Sequence, residues 1–136
     1  MDNNSVRWLG LSSYEEKDAE LFYGRENEIH ELSEDIYSHT QTVVYGPSGV
    51  GKTSILRAGI FSLARKNGFL PVYIRLDEAG DVHYTRQIID AIEAELALNG
   101  AEREVVVEVA DHDPSLWEYF HANSFWDANN YPIVPM

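Results

Sequence analysis

The chain has 136 residues, 44% hydrophobic and 12% aromatic, the make-up of a packed globular chain of about one domain. Its 10 basic and 23 acidic side chains leave a net charge of −13, a field that repels nucleic acid and anionic membranes at a distance. The absence of cysteine excludes disulfide staples and thiolate metal sites.

The charge is uneven. Residues 1–76 carry 8 basic and 10 acidic side chains, residues 77–136 only 2 and 13. The opening Met1-Asp2-Asn3-Asn4-Ser5 has no secretory-signal pattern, and no window approaches the ~18 apolar residues of a membrane span. A cytoplasmic location is expected, with no nucleic-acid and no membrane partner.

Residues 1–25 mix aromatics with turn formers and show no sustained period, so they read as an irregular lead-in segment. From Glu26 the pattern is helical, with Ile29, Leu32, Ile36 and Tyr37 at helical spacing and acidic residues at the positive end of the dipole. The run Thr42-Val43-Val44-Tyr45 predicts a buried strand stopped at Gly46. A helical stripe over 53–66 places Leu56, Ile60, Leu63 and Ala64 on one face, with Asn67-Gly68 as its stop. Val72 to Leu76 predicts a second strand. Tyr84 to Leu98 predicts a third helix, with Ile88, Ile89, Ile92 and Leu96 aligned and Asn99-Gly100 closing it.

Further on, Val105 to Val109 reads equally as strand or helix. Ser115 and Glu118 form a capping-box pattern ahead of a short helix. The aromatics Trp117, Tyr119, Phe120, Phe125 and Trp126 are expected in the core, with part of the group exposed if the chain is truncated. The alternation of strands and helices predicts an α/β fold with a parallel sheet flanked by helices. Two firm strands are too few for an open sheet of the usual size. With Gly46 to Thr53 fitting G-x-x-x-x-G-K-[ST] between a predicted strand and a predicted helix, residues 26–136 read as the N-terminal portion of a P-loop NTPase domain, a partial fold truncated before its Walker B strand is complete.

Gly46-Pro47-Ser48-Gly49-Val50-Gly51-Lys52-Thr53 matches G-x-x-x-x-G-K-[ST] at every fixed position, between a predicted strand and a predicted helix. Glycines let successive backbone N–H groups curl around an anion, and the following helix adds its unpaired N–H groups and positive end. Lys52 reaches β/γ-phosphates as a point charge, and Thr53 offers a hydroxyl to Mg²⁺. A nucleoside triphosphate with Mg²⁺ is the expected ligand. Hydrolysis needs an acidic group at the end of an apolar strand. Val105 to Val109 followed by Asp111-His112-Asp113 imitates that pattern, but Glu108 interrupts it. Ile133-Val134-Pro135-Met136 is preferred, with its acid beyond Met136, so the fragment is expected to bind nucleotide without turning it over.

These residues, together with Leu9 to Tyr14, Asp18 to Glu26 and Leu56-Arg57-Ala58-Gly59, resemble the bacterial STAND NTPases, and more narrowly their novel STAND branch of signalling ATPases. The resemblance implies an ATP-dependent switch, with homo-oligomerisation and an effector or sensor domain elsewhere in the parent protein. It also implies that Phe22 to Glu26 packs near the nucleotide base, with Gly24 and Arg25 most distinctive. The expected cofactor-binding set is thus Gly46 to Thr53, Ser54, Gly24 and Arg25, with Thr53 as the metal ligand. Arg57 is expected in an ion pair rather than on phosphate, and Asp77 and Glu78 in a solvated acidic loop. Two alternatives stand beside this reading. The loop also resembles that of guanylate-type nucleotide kinases, and a nucleotide could serve only to stabilise an oligomerisation module. The Asn-Lys-x-Asp pattern for guanine is absent, and the resemblance makes ATP the expected nucleotide, with Mg²⁺.

Overall fold

The computed structural model describes residues 12–78, 82–108 and 113–136. Parts of three sequence readings, Leu9 to Leu11, Val109 and Asp111-His112, lie outside the described residues. The chain divides into two compact units, Met1–Leu63 and Ala64–Met136.

In the first unit a 3-10 helix, Glu16–Leu21, lies within the aperiodic lead-in. Glu15 caps it by accepting from the Asp18 backbone, while the Asp18 carboxylate accepts from the Glu15 N–H at 3.1 Å. Helix α1, Glu26–Ser38, starts where the sequence pattern places it, with Glu26 and Glu28 in its first turn. After the glycine loop the chain winds as α2 (Lys52–Ser54), a π-helical stretch (Ile55–Phe61) and α3 (Ser62–Lys66). The π winding pairs residues five apart rather than four and shifts the buried register. The buried positions along this winding are Ser54, Ile55, Ala58, Gly59, Ile60 and Ala64, while Leu56 and Leu63 are only half-buried. Gly59 lets α1 approach closely: a Cβ there would fall 2.7 Å from both Cγ1 and Cδ1 of Ile29.

The second unit has the mixed helix and strand content of an α/β fold. Its strands are β1 (Phe69–Leu70), β2 (Glu102–Val105), β3 (Asn123–Trp126) and β4 (Val134–Pro135). β1 and β4 pair in parallel, and β2 pairs antiparallel with β3. Helix α4 runs Tyr84–Leu98, the predicted span, and buries Ile89, Ile92 and Leu96. Helix α5, Leu116–Ala122, carries the predicted capping box: Ser115 Oγ accepts from the Glu118 N–H, and the Glu118 carboxylate accepts from the Ser115 N–H. Leu70, Ile89, Ile92, Leu96, Tyr119 and Phe125 form the core. The Tyr119 hydroxyl donates to Glu93 at 2.8 Å, and Arg103 pairs with the same carboxylate. Burial, then the Glu93 carboxylate, pushes the Tyr119 phenol above its ordinary range.

Three sequence readings are corrected and one left open is decided. Thr42 to Tyr45 forms no ladder among the described residues, and Val43 and Tyr45 are 72% and 90% exposed. No strand among the described residues pairs with it, and β-propensity without a partner does not bury a strand. The second strand lies earlier than Val72–Leu76, because its ladder bonds run from Gly68 to Val72 against Val134 and Met136. β2 runs from Glu102 to Val105 and is antiparallel, so of the segment left open between strand and helix only Val105 lies in a strand among the described residues. Trp117 and Phe120 are exposed rather than in the core, and Trp117 stacks on His121 with ring centroids 3.9 Å apart. The strand preferred at the last residues does form, as the parallel partner of β1.

Substituting Gly59→Ala sets helix propensity, worth about 1 kcal/mol in favour, against an overpacking cost of about 1–3 kcal/mol. The expected outcome is a lower urea midpoint, partly restored by Ile29→Ala in the double variant. Strictly additive effects would show that the close approach does not exist.

Candidate functional site

The site grows from backbone conformation. Gly49 and Gly51 hold φ of +82° and +89°, a region that a side chain disfavours, and an added Cβ on Gly49 would meet nothing within 4 Å. The restriction at Gly49 is therefore conformational and not steric crowding. Gly51 is the N-cap of α2, and no side chain caps that end. The first N–H groups of a helix have no intrahelical partner, and they are the donor set an anion requires. The Lys52 ammonium donates to the carbonyls of Gly46 and Pro47 at 2.7 and 2.8 Å, so the loop's single positive side chain sits on the loop itself. Pro47 and Ser48 are exposed, and Thr53 is half-buried in the first helical turn.

The lead-in residues reach the loop and its helix at three places. Tyr14 N–H donates to the buried Ser54 Oγ at 3.1 Å, which gives Ser54 a structural partner. Arg57 pairs with Glu15, the ion pair the sequence suggests. Arg25 donates through Nη1 to the Val50 carbonyl at 3.2 Å and through Nε to Glu28 at 2.7 Å. Gly24 adopts φ of +81°, and its N–H donates to the Glu26 carboxylate at 2.9 Å. That backbone donor holds the Glu26 carboxyl below the usual carboxylate range. The structure thus brings Arg25 onto the loop beside Val50, Gly51 and Lys52.

A cleft of about 360 Å³ adjoins the loop, bounded by α1 on one side and by Val43 to Tyr45 on the other. Glu28, Glu31 and Asp35 line it along α1, with Lys52 and Val50 at the loop end. Asp77 and Glu78 are exposed, as the sequence suggests. Sequence reasoning missed Tyr14, Glu15 and Glu28. The (i, i+3) spacing of Arg25 and Glu28 on a helix start is a local signal that marks the pair, whereas the contacts of Tyr14 and Glu15 span about forty residues and leave none.

Residues 8–114 match the family model described as Novel STAND NTPase 1. Among curated proteins, the phosphate import ATP-binding protein PstB 2 of Bacillus subtilis (strain 168) is 35% identical over 57 residues, 42% of this chain and 20% of that protein. The phosphate import ATP-binding protein PstB 1 of Streptococcus mutans serotype c is 42% identical over 41 residues, 30% of this chain and 16% of that protein. The chain thus spans a fifth or less of these curated relatives. No solved structure matches it. Among the described residues no helix is long and apolar enough to cross a membrane.

The Glu26 contact predicts a pH signature. A carboxyl whose folded pKa is depressed favours the folded state above its unfolded value, and that contribution fades as pH falls through the folded value. Side-chain carboxyl NMR should place the Glu26 midpoint below 4.5, and the Gly24 amide should shift with the same midpoint. A Glu26 midpoint at or above 4.5 would mean the contact is absent in solution.

Proposed function

The chain belongs to the Novel STAND NTPase 1 family, and from that premise we propose that it binds ATP with Mg²⁺ through Gly46 to Ser54, as the nucleotide-binding part of a STAND-type switch. The observation that carries the reading is a single segment joining left-handed Gly49 and Gly51, an uncapped helix start and the Lys52 ammonium. Backbone N–H groups would hold the phosphates. Lys52 would exchange the carbonyls of Gly46 and Pro47 for phosphate oxygens, trading two neutral acceptors for charged ones. Thr53, on the first turn, would hold Mg²⁺, which supplies charge neutralisation at the phosphates. Gly24 and Arg25 complete the set at the loop's flank.

Family membership supports an NTPase over a guanylate-type kinase. Our reading takes residues 26–136 as the first portion of a P-loop NTPase domain, with residues 1–25 as its lead-in. In it β1 and β4 supply parallel sheet. Homo-oligomerisation under nucleotide control, an effector or sensor domain in the parent protein and a cytoplasmic location belong to the same proposal. Binding is the part assigned to these residues. Sustained hydrolysis would need a base to orient water, a role that none of the assigned side chains fills.

Lys52→Ala removes the charged donor and leaves the glycine geometry in place. Titration calorimetry with Mg²⁺·ATP should show binding weakened by about 10- to 100-fold, with an unchanged circular dichroism spectrum. Equal affinity in the variant would remove the loop from the nucleotide site.

A further inference from the structure

We infer that Glu28 is a positioning residue for the phosphate loop: it acts through Arg25 to fix the Val50–Gly51 peptide, so that the Gly51 N–H faces a nucleotide phosphate. This inference rests on the nucleotide-binding reading above. Glu28 Oε1 accepts from Arg25 Nε at 2.7 Å, and Arg25 Nη1 donates to the Val50 carbonyl at 3.2 Å. A guanidinium is planar and rigid, so holding Nε fixes the direction in which Nη1 points. The Val50–Gly51 peptide is trans, and in a planar trans peptide the C=O and N–H point opposite ways. Drawing the Val50 oxygen toward Arg25 therefore turns the Gly51 N–H away from Arg25.

Gly51 is where this matters most. It is the residue with φ of +89° that caps the helix, and Arg25 Nη1 lies 3.3 Å from where its Cβ would be. The guanidinium thus packs directly against the turn it orients. Lys52 cannot do this job, because it must release its loop carbonyls to engage phosphate. Arg25 and Glu28 hold a carbonyl that the ligand does not use, so their contact persists with nucleotide bound. The pair is also poorly placed to stabilise the fold, with side chains 32% and 50% exposed.

The sign of one substitution separates positioning from simple electrostatics. Removing a carboxylate near an anion site tightens anion binding if only net charge matters. Positioning predicts the reverse. Calorimetry with Mg²⁺·ATP should find Glu28→Gln and Arg25→Lys each weakened about three- to tenfold. The double variant should be no weaker than the worse single one. Glu34→Gln, on the same helix and paired with His30, controls for the charge change and should not weaken binding. In the ligand-free protein, Glu28→Gln should also move the Gly51 amide resonance. Glu28→Gln binding as tightly as wild type or tighter, or multiplying losses in the double variant, overturns the inference and leaves the nucleotide reading intact. A wild-type chain that binds no ATP overturns the nucleotide reading itself. The Gly51 resonance then still reports on the link, and an unmoved resonance shows that Glu28 does not reach the loop.

Discussion

Where α1 crosses the helix behind the loop, the space a side chain on Gly59 would occupy is filled by Ile29. That approach fixes how near the start of α1 can come to Gly46 to Thr53, and so whether the Arg25 guanidinium can reach the Val50 carbonyl. The π winding over Ile55–Phe61 belongs to the same constraint, because it turns Ala58, Gly59 and Ile60 inward together. Small residues at the crossing and long polar ones at its end thus act in sequence. The contact of Gly59 with Ile29 sets the distance, and Arg25 spends it.

Charge also takes on a different meaning at close range. A total of −13 opposes any polyanion approaching from a distance. The loop answers with donors that act only at contact: backbone N–H groups, a helix start and one ammonium. Glu28 shows how an acidic residue can serve such a site. Its carboxylate binds an arginine whose other arm holds the loop backbone, so a negative side chain reaches the turn at Val50 through Arg25.

What the sequence revealed depended on how local each cause is. The loop was legible because left-handed glycines, lysine and threonine must occupy fixed neighbouring positions. Helix α4 was legible to the residue, since Ile89, Ile92 and Leu96 keep a clean period and Asn99-Gly100 ends it. The capping box of α5 needs only Ser115 and Glu118. Thr42 to Tyr45 misled because a strand's burial is decided by its neighbours, and β-branched residues mark only suitability for a ladder. β1 slipped toward Gly68 for the same reason: its position is set by Val134 and Met136, more than sixty residues away. The π register leaves no periodic trace in seven residues. Arg25 was singled out from family likeness, but the carbonyl it grips, 25 residues on, could be seen only in three dimensions.

The central claim is that the backbone of Gly49 to Thr53 holds the phosphates of a bound nucleotide, and backbone amide NMR tests it most directly. On titration with Mg²⁺·ATP, the amides of Gly49, Gly51, Lys52 and Thr53 should shift together with one midpoint, while those of the β2–β3 ladder stay in place. Loop amides that remain still while others respond, or a protein that gives no response at saturating nucleotide, would contradict the account.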